Sequence, residues 1–189
     1  MKNYFEYKFS ENELEYCKTH AQKMCDGFST YSFENDEKQS FDVYFIGKVG
    51  EFVVYKFLRK LEKENLIKII HKPFREKYLK LNFNDDYIIE LCNSGKKIQI
   101  EVRTKGRSVE PQQDYVCCTD CIKPNLNYIF VSYNKKNNIA HIVGFANWDN
   151  FKKYATVSSE GDKNLNFIHK VNEFNILIKH LNNIFDFIK

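Results

Sequence analysis

The segment DDYIIELCNSGKKIQIEVRTKGRS, residues 85–108, reads as a β-hairpin, and the rest of the fold is read outward from it. Its two arms are rich in isoleucine and valine, and Asn93, Ser94 and Gly95 between them suit a tight reversal. On the second arm Ile98, Ile100 and Val102 alternate with Gln99, Glu101, Arg103 and Lys105, the period-two pattern of a strand with one apolar face. A strand that projects Glu101, Arg103 and Lys105 from one side raises the question of what that charged face meets. On the first arm Asp86, Ile88 and Glu90 share a face, with Asp86 at the strand's beginning. Counted from Ser94, Asp86 lies eight residues before the reversal and Glu101 seven after, so antiparallel pairing predicts neighbouring carboxylates.

The wider sequence frames this hairpin. At 189 residues the chain suits one domain, residues 1–189, large enough to bury a substantial core. A hydrophobic content of 43% with 29% charged residues excludes a disordered or fibrous chain. The net charge of +4 leans toward an anionic partner. Enrichment in Lys, Asn, Ile, Phe and Tyr accounts for much of that excess, so charge alone decides little. MKNYFEYKFSENELEY at the start lacks an apolar signal core, and no apolar run is long enough for a membrane span. The expectation is a cytoplasmic protein with no membrane partner and reduced cysteines. Cys118 and Cys121 form a CxxC, but no second pair of metal ligands accompanies them at zinc-site spacing. Small residues on a strand and its turn are the better reading of that motif.

Helical and strand patterns give the remaining order. Ser10 and Glu13 form a capping-box pattern that opens a helix over about 10–25. DGFSTYSFENDEKQS, residues 26–40, reads as a polar loop. From about 46 to 64, Val49, Phe52, Val53, Phe57 and Leu61 follow helical spacing, although Gly47 and Gly50 are poor helix formers and require a packing reason. Short strands are expected near LIKIIHKPF, DYVCCT, YIFVSYN and IAHIVGFA, then a helix from Trp148 with Asp149 near its start. Val171, Phe174, Ile178, Leu181 and Phe185 predict a long amphipathic helix over about 167–189. The predicted class is α/β or α+β, a central mixed sheet flanked by helices, with its core over about 46–150.

Paired acids need a cation between them, because adjacent carboxylates raise one another's pKa. A hard divalent ion such as Mg²⁺, or Mn²⁺, meets that need with oxygen ligands.

Asp86, a strand and turn, and then Glu101-Val102-Arg103 together resemble the motif of the PD-(D/E)XK nuclease superfamily. The preceding GKVGEFVVYKFL resembles the helix that carries an additional metal-associated glutamate in many of its members. The resemblance covers roughly residues 47–133 and implies a restriction-endonuclease-like αβββαβ core. It nominates Glu51, Asp86 and Glu101 as ligands of Mg²⁺ or Mn²⁺ in a DNA-cleaving endonuclease. Two departures accompany it. Asn84 and Asp85 precede Asp86 in place of a proline, which leaves Asp85 as an alternative ligand. Arg103 stands where the motif has lysine, and arginine stays protonated, so it can hold a phosphate but cannot act as a base. Lys105 faces the same way two residues on and is the alternative for orienting the attacking water.

The expected activity is therefore Mg²⁺-dependent hydrolysis of DNA phosphodiester bonds, in restriction, repair or defence against mobile DNA. Cutting both strands suggests a homodimer, with the C-terminal helix as an interface. The competing expectation is a nuclease-fold module that binds DNA or protein without catalysis, for which Arg103 is the main argument. Gln112, Gln113 and Tyr115 lie beside the motif strand, but a turn into the next strand explains them better. Tyr128 and Tyr133 suit packing, and His71, His141 and His169 suit core or surface positions better than catalysis.

Overall fold

The computed structural model describes residues 4–28, 37–72, 86–119, 122–159, 163–164, 167–168 and 173–188. The expected hairpin forms from β3 (Tyr87–Leu91) and β4 (Lys97–Arg107), with Tyr87 opposite Ile100 and Ile89 opposite Ile98. Its reversal is closed by Gly95 N–H donating to the Leu91 carbonyl at 2.8 Å. Gly95 has φ +66°, a left-handed conformation that glycine adopts without steric cost.

Four more strands extend the hairpin into one sheet: β1 (Phe5–Lys8), β2 (Ile67–His71), β6 (Leu126–Asn134) and β7 (Ile139–Ala146). The order is β1-β7-β6-β4-β3-β2. β4 and β6 are parallel, from Gln99 opposite Leu126 to Arg107 opposite Asn134, and the other neighbours are antiparallel. A parallel pair needs a crossover, and the αβββαβ expectation places a helix in it. The described residues of that connection carry no helix; they carry β5 (Val116–Thr119). β5 belongs to a second sheet, β5-β11-β8, with β8 (Thr156–Ser158) and β11 (Glu173–Leu177). β9 (Lys163–Asn164) and β10 (Phe167–Ile168) form a separate antiparallel pair. The chain is thus a mixed α+β protein, as the alternating patterns predict.

Two helices cover one face of the main sheet. α1 (Glu11–Phe28) starts at the expected capping box: Ser10 Oγ accepts from Glu13 N–H, and Glu13 Oε2 accepts from Ser10 N–H. α2 (Glu37–Lys63) begins nine residues before the expected position. The predicted polar loop at 26–40 is therefore helical at both of its ends, where local helix continuation outweighs the polar composition. Val49, Phe52, Val53, Phe57 and Leu61 are all buried, and they share a core with Tyr87, Ile89, Ile100, Ile129, Val131 and Ile142. Each such large side chain contributes roughly 1.5–3 kcal/mol by leaving water. A second core on the opposite face joins Tyr128, Phe130 and Val143 to Cys117, Ile176 and Ile178. α3 (Trp148–Tyr154) closes it with Phe151 and carries Asp149 in its first turn, as expected; its cap is Asn147, whose side chain accepts from Asp149 N–H and Asn150 N–H.

The expected C-terminal helix does not form. Its described residues make β11 and two 3-10 turns, Ile178–His180 and Ile184–Asp186. The alternation Phe174, Ile176, Ile178 is a strand signal that competes with the helical spacing, and pairing with β5 and β8 satisfies it. Ile176, Ile178, Leu181, Ile184 and Phe187 are buried within the chain, which removes the proposed helical dimer interface.

Gly50 has the packing reason that the sequence called for. A Cβ at this position would lie 1.7 Å from Thr104 Oγ1 and 2.8 Å from Thr104 Cβ, so only glycine lets α2 approach β4 this closely. A Cβ at Gly47 meets nothing within 4 Å. Gly50→Ala is expected to destabilise by about 1–3 kcal/mol through overpacking. Gly47→Ala is expected to stabilise by roughly 0.5–1 kcal/mol through helix propensity. Urea denaturation of the two variants checks the contrast, and equal midpoints would refute the close contact.

Candidate functional site

The Gly50 contact fixes the residue after it. Glu51 is carried against the start of β3, where Tyr87 Oη donates to the Glu51 carbonyl at 2.6 Å and ties helix to sheet. One turn earlier, Lys48 points to the same place, and its Nζ donates to Glu51 Oε2 at 2.5 Å. Both side chains are nearly inaccessible, at 6% for Lys48 and 12% for Glu51. Burial, with the negative charge of Asp86 adding to it, pushes the Glu51 carboxyl up to about 7 although Lys48 pulls the other way. Cys17 of α1 completes the wall: its Sγ donates to the Lys48 carbonyl at 3.7 Å, and burial followed by Glu51 pushes its thiol up to about 12.

Asp86 occupies the end of β3. Its N–H donates to the Ile100 carbonyl at 3.0 Å, and its Oδ2 accepts from Val102 N–H at 2.7 Å. The side chain thereby occupies a ladder position on β4 that β3 leaves open. Asp86 lies one residue before the Tyr87–Ile100 pair that ends the β3–β4 register, and its bond to Val102 sets it beside the stretch of β4 that carries Glu101. Asp85, the alternative ligand, lies outside the described residues, as do Cys121 of the CxxC and His169.

Strand alternation separates the remaining candidates from Glu51. Ile100 and Val102 pack toward α2, whereas Glu101, Arg103 and Lys105 share the opposite face with their β6 partners Tyr128, Phe130 and Ser132. Glu101 Oε1 is ion-paired to the Arg103 guanidinium, and Lys105 is exposed. Two groups of charges thus lie on opposite faces, Glu51 with Lys48 on one and Glu101 with Arg103 on the other. Asp86 lies just before β3 between them, coupled electrostatically to Glu51 and bonded to Val102 of β4. Among the described residues, no group of three or more His, Cys, Asp and Glu side chains is arranged to hold a metal ion. The oxygen donors of Asp86 and Glu101 suit a hard divalent ion, which is commonly held by one or two carboxylates with water and phosphate completing its shell.

Lys48 is the residue that sequence reading missed. Its signal is nonetheless present: Lys48, Phe52 and Tyr55 fall at i, i+4 and i+7, so a lysine interrupts an apolar helical stripe and requires a buried partner. Gln113 donates to Tyr4 Oη at 2.5 Å, and Tyr115 stacks on Arg107; both have structural roles here, as expected.

Compared with known proteins, the chain matches no family model, no curated protein and no solved structure.

The Glu51 titration has a definite sign. Its folded pKa of about 7 exceeds the ordinary 4.5, so the folded state holds this proton more tightly than the unfolded chain does. The corresponding stability is fully present below about pH 4.5 and is lost as pH rises through about 7. The loss is on the order of 3 kcal/mol. Denaturation at a series of pH values is expected to show this fall in the native chain and not in Glu51→Gln. An identical fall in the variant would assign the titration to another group.

Proposed function

We propose that this protein is a metal-dependent phosphodiesterase that cleaves DNA, built on a restriction-endonuclease-like core. The observation that carries the reading is Asp86, which directly precedes β3, accepts from Val102 N–H next to Glu101, and adds its charge to the burial that raises the Glu51 carboxyl. Acids from three elements, Glu51 and Glu101 on opposite faces and Asp86 between them, are a costly arrangement for a purely structural protein. The meander β2–β3–β4 followed by the parallel neighbour β6, with α2 packed on one face, supports the same reading, although β5 replaces the expected crossover helix.

Asp86 and Glu101 are the residues that would hold Mg²⁺ or Mn²⁺, with Glu51 beside Asp86. A bound divalent ion lowers the pKa of a coordinated water and screens the phosphate. The chain's own residues do the rest. Lys48 keeps Glu51 in place and favours its ionised form against the cost of burial. Arg103, paired with Glu101, supplies a permanent cation for the phosphate. Lys105, exposed on the same face, is the candidate for orienting the attacking water. A cytoplasmic location and a homodimer that cuts both strands belong to this proposal. No described helix is long and apolar enough to cross a membrane.

One observation favours a second reading, a nuclease-fold module that binds DNA or protein without cleaving it. Glu51 and Glu101 each already have a basic partner, in Lys48 and Arg103. Charges that pair internally need no metal, and the fold then serves only for binding.

Cleavage of supercoiled plasmid with and without Mg²⁺ separates the two. Activity that requires the ion and is lost in Asp86→Asn and Glu101→Gln is expected, with the melting temperature little changed in Glu101→Gln. Retained cleavage in a folded Glu101→Gln protein would remove that carboxylate from the site, and an inactive native chain that still binds DNA would establish the second reading.

The two cations are expected to separate under single-turnover conditions with saturating DNA. Lys105→Met should slow the chemical step by about 10²-fold. Arg103→Met should weaken binding as well, and Arg103→Lys should be better tolerated because the charge facing the phosphate remains. Wild-type rates in Lys105→Met would return the motif role to Arg103.

A further inference from the structure

Strand pairing lays four polar residues in one lateral row across the second face of the main sheet. Lys105 on β4 is opposite Ser132 on β6, Ser132 is opposite His141 on β7, and His141 is opposite Glu6 on β1. Directly paired residues project from the same face of a sheet. Ser132 is 3% exposed and His141 6%. Polar groups this deeply buried are almost always hydrogen-bonded. Here neither Ser132 Oγ nor His141 Nδ1 finds a partner among the described residues. The same holds for Nε of Arg107, two positions beyond Lys105 on the same face of β4.

The remainder of each of these side chains is held firmly. His141 Nε2 lies 3.1 Å from Glu6 Oε2 and 3.3 Å from Glu110 Oε2. Glu110 Oε1 in turn accepts from Asn134 Nδ2 at 2.9 Å and Asn137 Nδ2 at 3.1 Å. Both carboxylates of the neighbourhood are therefore engaged at Nε2, and the ring's other nitrogen stays uncommitted. Arg107 Nη2 donates to the Val116 carbonyl at 2.9 Å, and its guanidinium stacks over the Tyr115 ring at 4.5 Å. Cys118 of β5 lies across from this face: burial pushes its thiol up, Lys105 pulls it down, Glu173 raises it, and Arg103 and Arg107 pull it down further. The cations of β4 thus reach the space beneath the second sheet.

An ammonium, a guanidinium N–H, a hydroxyl and an imidazole nitrogen form a set dominated by donors and positive charge. A single water can bridge some of them but cannot balance the charges of Lys105 and Arg107. A tetrahedral oxyanion accepts from each donor at once, and a protonated phosphate oxygen can donate to Nδ1 of a neutral ring. We propose that Lys105, Ser132, His141 and Arg107 form a binding site for a phosphate group. The site lies on the same sheet face as Glu101, so under the nuclease reading it holds a second phosphate of the nucleic acid. Its existence does not depend on that reading.

The test follows the melting temperature of the intact chain against inorganic phosphate, with sodium chloride at matched ionic strength as reference. A saturable rise is expected, as for any ligand that binds only the folded state. Ser132→Ala and Arg107→Gln should each weaken the apparent affinity at least about tenfold, the loss of one good hydrogen bond to a charged group. Without phosphate, Ser132→Ala should melt no lower than the native chain, because it deletes a buried hydroxyl that has no partner; a purely structural serine would not show that combination. A rise that does not saturate, or that is the same in both variants, is the general stabilisation given by an excluded salt and overturns the site. Oligonucleotides with 5′-phosphate and 5′-hydroxyl ends then compete with phosphate. Competition by the phosphorylated strand alone assigns the site to a terminal phosphate, and equal competition assigns it to the backbone. Failure of both assigns it to a free phosphate or a small phosphate ester. None of these measurements reads cleavage, so an inactive nuclease site and an absent phosphate site give different results.

Discussion

The close contact between Gly50 and Thr104 is the constraint on which the rest of the arrangement depends. Helices normally stand off a sheet by the thickness of their side chains, and here that thickness is removed at one point. The approach brings the next residue, Glu51, to the edge of β3 and allows Tyr87 to bond the helix backbone directly. It also buries Lys48, which enters a core of phenylalanine, valine and isoleucine with Glu51 as its counter-ion. A buried ion pair gives little net stability, because desolvating both charges offsets most of their attraction.

The position of Asp86 at the open end of β3 gives this arrangement its direction. A carboxylate that replaces a strand's ladder bond is held in the sheet plane, and from there it reaches charges on both faces. Glu51 lies on the side of α2 and Glu101 on the other, each beside a basic residue. The charges are therefore close to balance in the isolated chain, with Glu51 poised near neutrality. An added cation or phosphate shifts that balance, which is the behaviour expected of a site whose ligands are themselves charged. The unpartnered donors around Ser132 and His141 extend the same principle along β4, where one strand face carries a succession of basic groups.

Much of the architecture was legible in local pattern. The hairpin and its register, the capping box of α1 and the buried stripe of α2 all follow from interactions between residues near in sequence, where period and turn chemistry act directly. The C-terminal segment shows where that reasoning stops. Phe174, Ile178, Leu181 and Phe185 fit a helix, and Phe174, Ile176 and Ile178 fit a strand equally well. Only the presence of β5 and β8 as partners decides between them. β1 was missed for the same reason: four residues carry too short a pattern to be distinguished without β7 beside them.

By itself, the sequence determined which acids and bases exist, their order, and the hairpin that brings Asp86 to β4. Tertiary structure decided on which side of the sheet each charge lies and which other charge it meets. Alternation fixes only that Glu101, Arg103 and Lys105 share a face; packing of α2 on Ile100 and Val102 makes it the face away from Glu51. The partnership of Lys48 with Glu51 is local in spacing, yet its burial comes from α1 and β3 closing over it. The row from Lys105 to Glu6 joins residues from four strands far apart in the chain. No local pattern encodes such a row, because lateral register is set by strand pairing, and strand pairing is a property of the whole sheet.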